Sequence, residues 1–337
     1  MTKYVFLAFS SFVMLACSTS TRESSEAGRY QTTGSIDRLN PAINELIPEG
    51  AEIEILASGF RWSEGPLWVE DQQFLLFSDV PANTVYKWTE ADSVTVFLSP
   101  SGYLGDSLNK REPGANGLAL DLQGRLLLCQ HGERQLARMA ADWTSPSPTY
   151  EAITSQYEGK RFNSPNDVVV HSAGYYFFTD PPYGLDEWDT KELDFQGVYK
   201  TDEWGNMILL VDTLTRPNGI GLAPDERTLY IGVSDGDRAR YYAYSLDKKG
   251  LVIRGKVLLD VTALAKKENM GVPDGLTVDS KGNLFATGPG GVLVISPEGV
   301  HLGTIRTGQP TANCAFSTDE SVLYITANMH LMRVKLR

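Results

Sequence analysis

The sequence predicts an all-β chain folded as a six-bladed β-propeller whose N-terminal strand closes the last blade. Three observations predict it. A paired-strand pattern recurs six times, with copies opening at Glu64, Asn116, Asn166, Asn218, Asp274 and Asn313, spaced 52, 50, 52, 56 and 39 residues apart. Within each copy the apolar residues alternate with period two, the strand period. One strand is spare at the N-terminal end, and one is missing at the C-terminal end.

Each copy opens on an acidic or amide residue, runs on as alternating apolar positions, turns, and returns as a second apolar run. Glu64-Gly65-Pro66-Leu67-Trp68 leads to Phe74-Leu75-Leu76-Phe77, and Asn116-Gly117-Leu118-Ala119-Leu120 leads to Leu126-Leu127-Leu128. Asn166-Asp167-Val168-Val169-Val170 leads to Tyr175-Tyr176-Phe177-Phe178, and Asn218-Gly219-Ile220-Gly221-Leu222 to Leu229-Tyr230-Ile231. The last two are Asp274-Gly275-Leu276-Thr277-Val278 with Leu284-Phe285-Ala286, and Asn313-Cys314-Ala315-Phe316 with Val322-Leu323-Tyr324-Ile325. The breaks, such as Asp121-Leu122-Gln123-Gly124 and Asp279-Ser280-Lys281-Gly282, hold residues that tolerate tight-turn dihedrals.

A third strand follows each pair, for example Thr84-Val85-Tyr86-Lys87-Trp88. A fourth then precedes the next copy, for example Ser93-Val94-Thr95-Val96-Phe97. Four antiparallel strands make one blade, and six blades make a ring. The sixth copy reaches only a third strand, at 331–336, while Glu52-Ile53-Glu54-Ile55-Leu56 stands unused before the first. Lending that strand to the last blade closes the ring and removes an exposed edge.

The chain is long and apolar enough for such a core: 337 residues, 42% hydrophobic and 10% aromatic, with 31 Gly and 17 Pro to supply turns. Lys plus Arg number 30 against 42 Asp plus Glu, a net charge of −12. That balance excludes a nucleic-acid partner, whose phosphates need a basic face, and leaves cation binding open.

The first residues stand apart from the fold. Lys3 and an apolar run from Tyr4 to Ala16 read as a secretory signal at 1–16, too short to span a bilayer. Met14-Leu15-Ala16-Cys17 resembles a bacterial lipoprotein cleavage box, which implies acylation of Cys17 and a periplasmic lipoprotein held to a bacterial membrane by that anchor alone. Residues 17–48 then read as a lipidated N-terminus and flexible tether, and 49–337 as the propeller. Cys129 and Cys314 sit in strand-like runs and read as buried free thiols.

The six repeat-initial residues all carry a side-chain oxygen. The first strand of a blade lines the central channel, so one residue at a shared offset in every blade converges on one mouth. Two carboxylates and four amides there suit a hard divalent cation. The absence of His and thiolate argues against a dedicated zinc or copper site. The plainer alternative is that Asn or Asp before Gly marks only a strand entry. Glu64 does not fit that alternative, and the coincidence of six favours the ring.

Several motifs then give a specific resemblance. Trp62-Ser63-Glu64-Gly65-Pro66, Asn163-Ser164-Pro165-Asn166-Asp167, Phe178-Thr179-Asp180-Pro181-Pro182-Tyr183-Gly184, Arg216-Pro217-Asn218-Gly219, Pro273-Asp274-Gly275 and Thr311-Ala312-Asn313-Cys314-Ala315-Phe316 are similar to those of the senescence-marker-protein, gluconolactonase and luciferin-regenerating-enzyme family. Gly114-Ala115-Asn116-Gly117 with Cys129-Gln130-His131-Gly132 resembles its bacterial gluconolactonase branch. The resemblance implies a six-bladed propeller with a divalent cation in the channel, calcium foremost and magnesium or zinc as alternatives. It places metal ligands at Glu64, Asn166, Asn218 and Asp274, with Asn163 a rival to Asn166, and a substrate-binding Arg at Arg161.

The reaction expected is the opening of a sugar lactone by a monomeric enzyme, with Asp274 as general base and Asn116 and Asn313 orienting water or substrate hydroxyls. His131, after a second strand, reads as structural and nearer the opposite mouth. No serine nucleophile elbow is present in the sequence. Alternatives are a phosphoester or organophosphate hydrolase using the same site, and a non-enzymatic propeller that binds carbohydrate or protein. Loops 99–113, 155–162 and 181–195 would set the choice of substrate.

Overall fold

The computed structural model describes Met1 and residues 29–106, 110–268 and 271–337. The expected signal segment, Cys17 and the tether as far as residue 28 lie outside the described residues. Six antiparallel sheets of four or five strands stand around a common axis. Their innermost strands are Ser63–Val69, Ala115–Leu120, Val168–Val170, Pro217–Leu222, Leu276–Val278 and Thr311–Phe316. Each contacts the innermost strand of the next blade, and the sixth contacts the first, so the ring is closed. The fold is the six-bladed propeller that the repeats predict.

Closure uses the spare strand. Ile53–Ser58 pairs with His330–Lys335 as the fourth strand of blade 6, with Ser58 opposite His330 and Ile53 opposite Val334. The hydrophobic core is divided into six clusters, one per blade interface. Between blades 6 and 1, Trp68 stacks on Tyr324 at 5.5 Å between centroids. The predicted turns form as their residues dictate. The Asp121 carboxylate takes the Gln123 and Arg125 amides at 3.0 and 2.8 Å, and Gly124 turns the chain at φ 72°. Cys129 and Cys314 are buried and unpaired.

One expectation is corrected. Residues 29–48 are not tether, because part of this segment is built into two blades. Gln31–Thr33 adds a fifth strand to blade 6 beside Ile53–Ser58, and Ser35–Arg38 adds a fifth to blade 5 beside His301–Arg306. Gly34 joins them at φ 66°, and a β-carbon there would fall 1.9 Å from the Arg306 carbonyl oxygen. A short 3-10 helix, Pro41–Glu45, then buries Ile43, which joins Ile47 in the cluster between blades 5 and 6. The segment straps two adjacent blades together.

Candidate metal and substrate site

Five of the six repeat-initial residues share one cavity. Glu64, Asn116, Asn166, Asn218 and Asp274 line a space of about 270 Å³ with Trp62, Glu112, Tyr183, Ser234 and Thr311 among its other walls. Glu64, Asn116, Asn166 and Asn218 are all at most 6% exposed.

Each is placed by its strand and by the neighbouring blade. Three of the inner strands slip by one residue where the site residue stands: Glu64 pairs with Ser78 but Leu67 with Leu76, Ala115 with Gln130 but Leu118 with Leu128, Pro217 with Val233 but Ile220 with Ile231. Such bulges re-aim side chains. The residue after each site residue touches the next blade. Gly117 donates its N–H to Asn166 O at 2.8 Å, and Gly219 donates to Asp274 O at 3.0 Å. A β-carbon on Gly219 would lie 2.2 Å from Asp274 O, and one on Gly65 would lie 2.1 Å from Asn116 O. The Asn-Gly and Asp-Gly pairs therefore mark close approach of strands around the axis. Hydroxyls fix the carbonyls as well: Ser78 donates to Asn116 O at 2.8 Å and Thr179 to Asn218 O at 2.7 Å.

Asn313 does not line this cavity. In blade 6, Thr311 pairs with Ala327 and Cys314 with Ile325, so Ala312 stands where Asn116 stands in blade 2, and Asn313 stands where Gly117 stands. Gly275 accordingly donates to Ala312 O at 2.7 Å. A one-residue slip turns the side chain to the other side. Asn313 faces deeper along the channel, where it and Asp167 line a second cavity of about 240 Å³ and hydrogen-bond through their side chains. The sequence reading chose the polar residue of Ala312-Asn313, and the register is one residue earlier.

Placement bears on two further readings. Asn163 is committed elsewhere: its Nδ2 donates to the Asp180 carbonyl and carboxylate, both at 3.0 Å, and to Phe195 O at 3.1 Å. It does not line the cavity, whereas Asn166 does. Arg161 is exposed on a two-stranded hairpin, its guanidinium donating to Glu133 O at 3.0 Å, and it is not a wall of the cavity.

His131 is a correction of the opposite kind. Antiparallel pairing sets the end of the second strand beside the start of the first, Gln130 opposite Ala115. His131 therefore lies at the same mouth as the site residues, fully buried, its Nε2 3.4 Å from Asn166 Nδ2. Glu112 and Tyr183 were also missed. Both come from loops, which carry no repeat phase. Tyr183 reaches Ser234 and Asn218 through its hydroxyl, and burial with the nearby Asp274 charge pushes it up to about 12.

The electrostatics are one-sided. Burial raises both Glu64 and Asp274 well above the usual carboxylate range, and the charge of Glu64 raises Asp274 further. Asp167, below them, is pushed up to about 7 by burial. No wall of the cavity is Lys or Arg, and neither Glu64 nor Asp274 has an ion pair among the described residues. The Asn218 side chain hydrogen-bonds Asp274, and Gly65 N–H donates to Glu64 at 3.1 Å. Two mutually repelling carboxylates, one buried and one half-buried, flanked by amides fit a hard dication, whose charge would offset both.

A stability signature follows. Without a divalent cation, the folded chain holds protons on Asp167 and Asp180, each pushed up to about 7 by burial, that the unfolded chain has already released. Thermal stability in chelator therefore falls as pH rises from the ordinary carboxylate range through about 7. A divalent cation held by Glu64 and Asp274 would restore part of it above that pH, and calcium is the ion to add. A melting temperature that climbs over the interval, with calcium without effect, contradicts this electrostatic picture.

Comparison with known proteins agrees with the fold and the motifs. Residues 62–329 match the model of the SMP-30/Gluconolactonase/LRE-like region. The chain is 38% identical over 314 residues to a gluconolactonase of Zymomonas mobilis, covering 91% of this chain and 87% of that protein. It is 25% identical over 277 residues to the pentonolactonase XacC of Haloferax volcanii, covering 81% and 83%. Among solved structures, a gluconolactonase from Xanthomonas campestris superimposes with a TM-score of 0.79 at 30% identity, over 91% of this chain and 96% of that one. With its six blades, its ring of oxygen-bearing inner-strand residues and this match over most of its length, the chain belongs to the SMP-30/gluconolactonase/LRE-like family.

Proposed function

We propose that this enzyme hydrolyses a sugar lactone in the cavity lined by Glu64, Asn116, Asn166, Asn218 and Asp274. The observation that carries the reading is a pair of carboxylates, buried Glu64 and half-buried Asp274, sharing one cavity with amide oxygens and no basic side chain. The lactonases among its relatives support the reaction class. The volume, about 270 Å³, lies just under the roughly 300–1,000 Å³ of drug-sized pockets and suits a single sugar ring.

Glu64, Asn166, Asn218 and Asp274 are the side chains that would hold the cation, and calcium is the ion their all-oxygen chemistry favours. The chemistry such an ion would supply there is Lewis-acid polarisation of the lactone carbonyl. Asp274 is the general base. It takes a proton from the water that attacks the carbonyl carbon. The ring C–O bond then breaks, and Asp274 returns that proton to the leaving ring oxygen, giving the open hydroxy acid and the carboxylate base again. Asn116, Ser234, Thr311 and Tyr183 stand around the cavity as hydroxyl partners for the sugar.

The test is acid release from a panel of aldonolactones, followed by pH-stat. Activity falls to the uncatalysed rate in chelator and returns on adding calcium. Full activity in chelator overturns the metal dependence. Inactivity on every aldonolactone with calcium present overturns the substrate class.

A further inference from the structure

The mechanism above leaves unused one buried polar group that stands behind the cavity wall, against Asn166 and Glu112. His131 has no exposed surface, and its backbone is pinned by a hydrogen bond from its N–H to Gly114 O at 3.1 Å. Its ring packs against Gly184, where a β-carbon would fall 2.6 Å from His131 Cβ. Space for the imidazole has been cleared by that glycine. The ring reaches out at both nitrogens. Nε2 lies 3.4 Å from Asn166 Nδ2, and Nδ1 lies 3.4 Å from Glu112 Oε2. Nδ1 has no aligned hydrogen-bond partner among the described residues. Glu112 is partly exposed and is itself a wall of the cavity.

We propose that His131, anchored by Glu112, is a positioning residue that turns the Asn166 amide so that its oxygen faces the cavity. The proposal rests on the reading of Asn166 as a metal ligand. A side-chain amide has one donor end and one acceptor end, and nothing in its shape chooses between them. The main chain of Asn166 is already fixed, its N–H on Thr179 O at 2.9 Å and its O accepting from Gly117 at 2.8 Å, so only the amide rotation is free. A carboxylate at Nδ1 accepts a proton and cannot give one while ionised, so it selects the Nδ1–H tautomer. Nε2 is then an acceptor. The Asn166 NH2 group turns toward it, and the Asn166 oxygen is left pointing at the site. Reversing the tautomer would set two donors against each other or present NH2 to a cation. Outer partners of this kind orient metal ligands and are worth about 10- to 100-fold in metal affinity.

The experiment is calcium titration calorimetry on the full chain with four single variants and one double variant. Asn166→Ala abolishes or strongly weakens binding if Asn166 is a ligand. His131→Phe keeps the ring volume but removes both nitrogens, and weakens calcium binding by about 10- to 100-fold. His131→Gln restores an acceptor near the Nε2 position and recovers most of the loss. Asn166→Asp presents oxygen whichever way it turns, so adding His131→Phe to it changes affinity little. Nitrogen-15 NMR of the wild-type ring, assigned by its disappearance in His131→Gln, gives the Nδ1–H pattern. Melting curves in chelator confirm that each variant is folded.

Wild-type affinity in His131→Phe, alongside lost affinity in Asn166→Ala, overturns this proposal alone. An Nε2–H ring does the same. If His131→Phe is misfolded, the ring tautomer and the His131→Gln affinity still decide, because a Gln variant that binds no better than Asn166→Ala denies the acceptor role. Absence of calcium binding in the wild type overturns the metal reading and this proposal with it.

Discussion

Asp274→Asn is expected to reduce kcat for lactone hydrolysis by about 10²- to 10⁴-fold, the range that a general base contributes. The substitution is nearly isosteric, and the backbone of residue 274 keeps its place because its carbonyl still accepts the Gly219 N–H at 3.0 Å. What is lost is the carboxylate proposed above to receive the proton of the attacking water. The change also carries a second, opposite signature. Asp274 is raised by burial and then by the charge of Glu64, so removing its carboxylate relieves a repulsion in the metal-free protein. The variant measured in chelator at neutral pH should therefore melt no lower than the wild type, and higher if both carboxylates were ionised. Loss of turnover with gain or retention of stability distinguishes a catalytic carboxylate from a structural one. Turnover at the wild-type rate with calcium supplied would remove Asp274 from the mechanism.

Asp180→Ala is expected to cost about 2–4 kcal/mol of folding stability, because it strands buried hydrogen-bond donors. Asp180 is fully buried at the end of the second strand of blade 3. Its two oxygens accept from Asn163 N at 2.9 Å, Asn163 Nδ2 at 3.0 Å and Ser164 N at 2.8 Å. Without the carboxylate these donors are stranded away from water, each at a cost of about 1–3 kcal/mol. The segment they hold runs directly through Pro165 into Asn166, so the loss reaches the site as well as the fold. Denaturant unfolding measures the first effect and calcium affinity the second. A variant with unchanged midpoint and slope would show that the 163–166 turn is held by something other than this carboxylate.

The propeller was legible because its signal is redundant. Six copies of an alternating strand pair repeat the same statement, and turns such as Asp121-Leu122-Gln123-Gly124 and Asp279-Ser280-Lys281-Gly282 confirm each hairpin. That Glu64, Asn116, Asn166, Asn218 and Asp274 gather in one cavity was legible for the same reason, since each stands at a fixed offset before an apolar run. Asn313 was misplaced because residue type was read where register decides: the pairing of Thr311 with Ala327 and Cys314 with Ile325 sets Ala312 in the equivalent place. The position of His131 follows from antiparallel geometry, which brings the end of one strand beside the start of its neighbour.

The N-terminal strap was illegible for a different reason. Gln31–Thr33 and Ser35–Arg38 lie at sheet edges, where backbone hydrogen bonds alone define the strand and no apolar alternation is required. Loop residues such as Glu112 and Tyr183 carry no periodic signal, and only the folded chain brings them to the cavity. Arg161 was carried over by resemblance, and its guanidinium is turned to the Glu133 carbonyl instead.

The central claim is that Glu64, Asn166, Asn218 and Asp274 together hold a divalent cation at one mouth of the channel. A crystal structure grown with calcium tests it most directly. The expected result is one cation in this cavity with side-chain oxygens of those four residues at about 2.3–2.6 Å. Calcium found only on surface carboxylates, with water alone between Glu64 and Asp274, would contradict it.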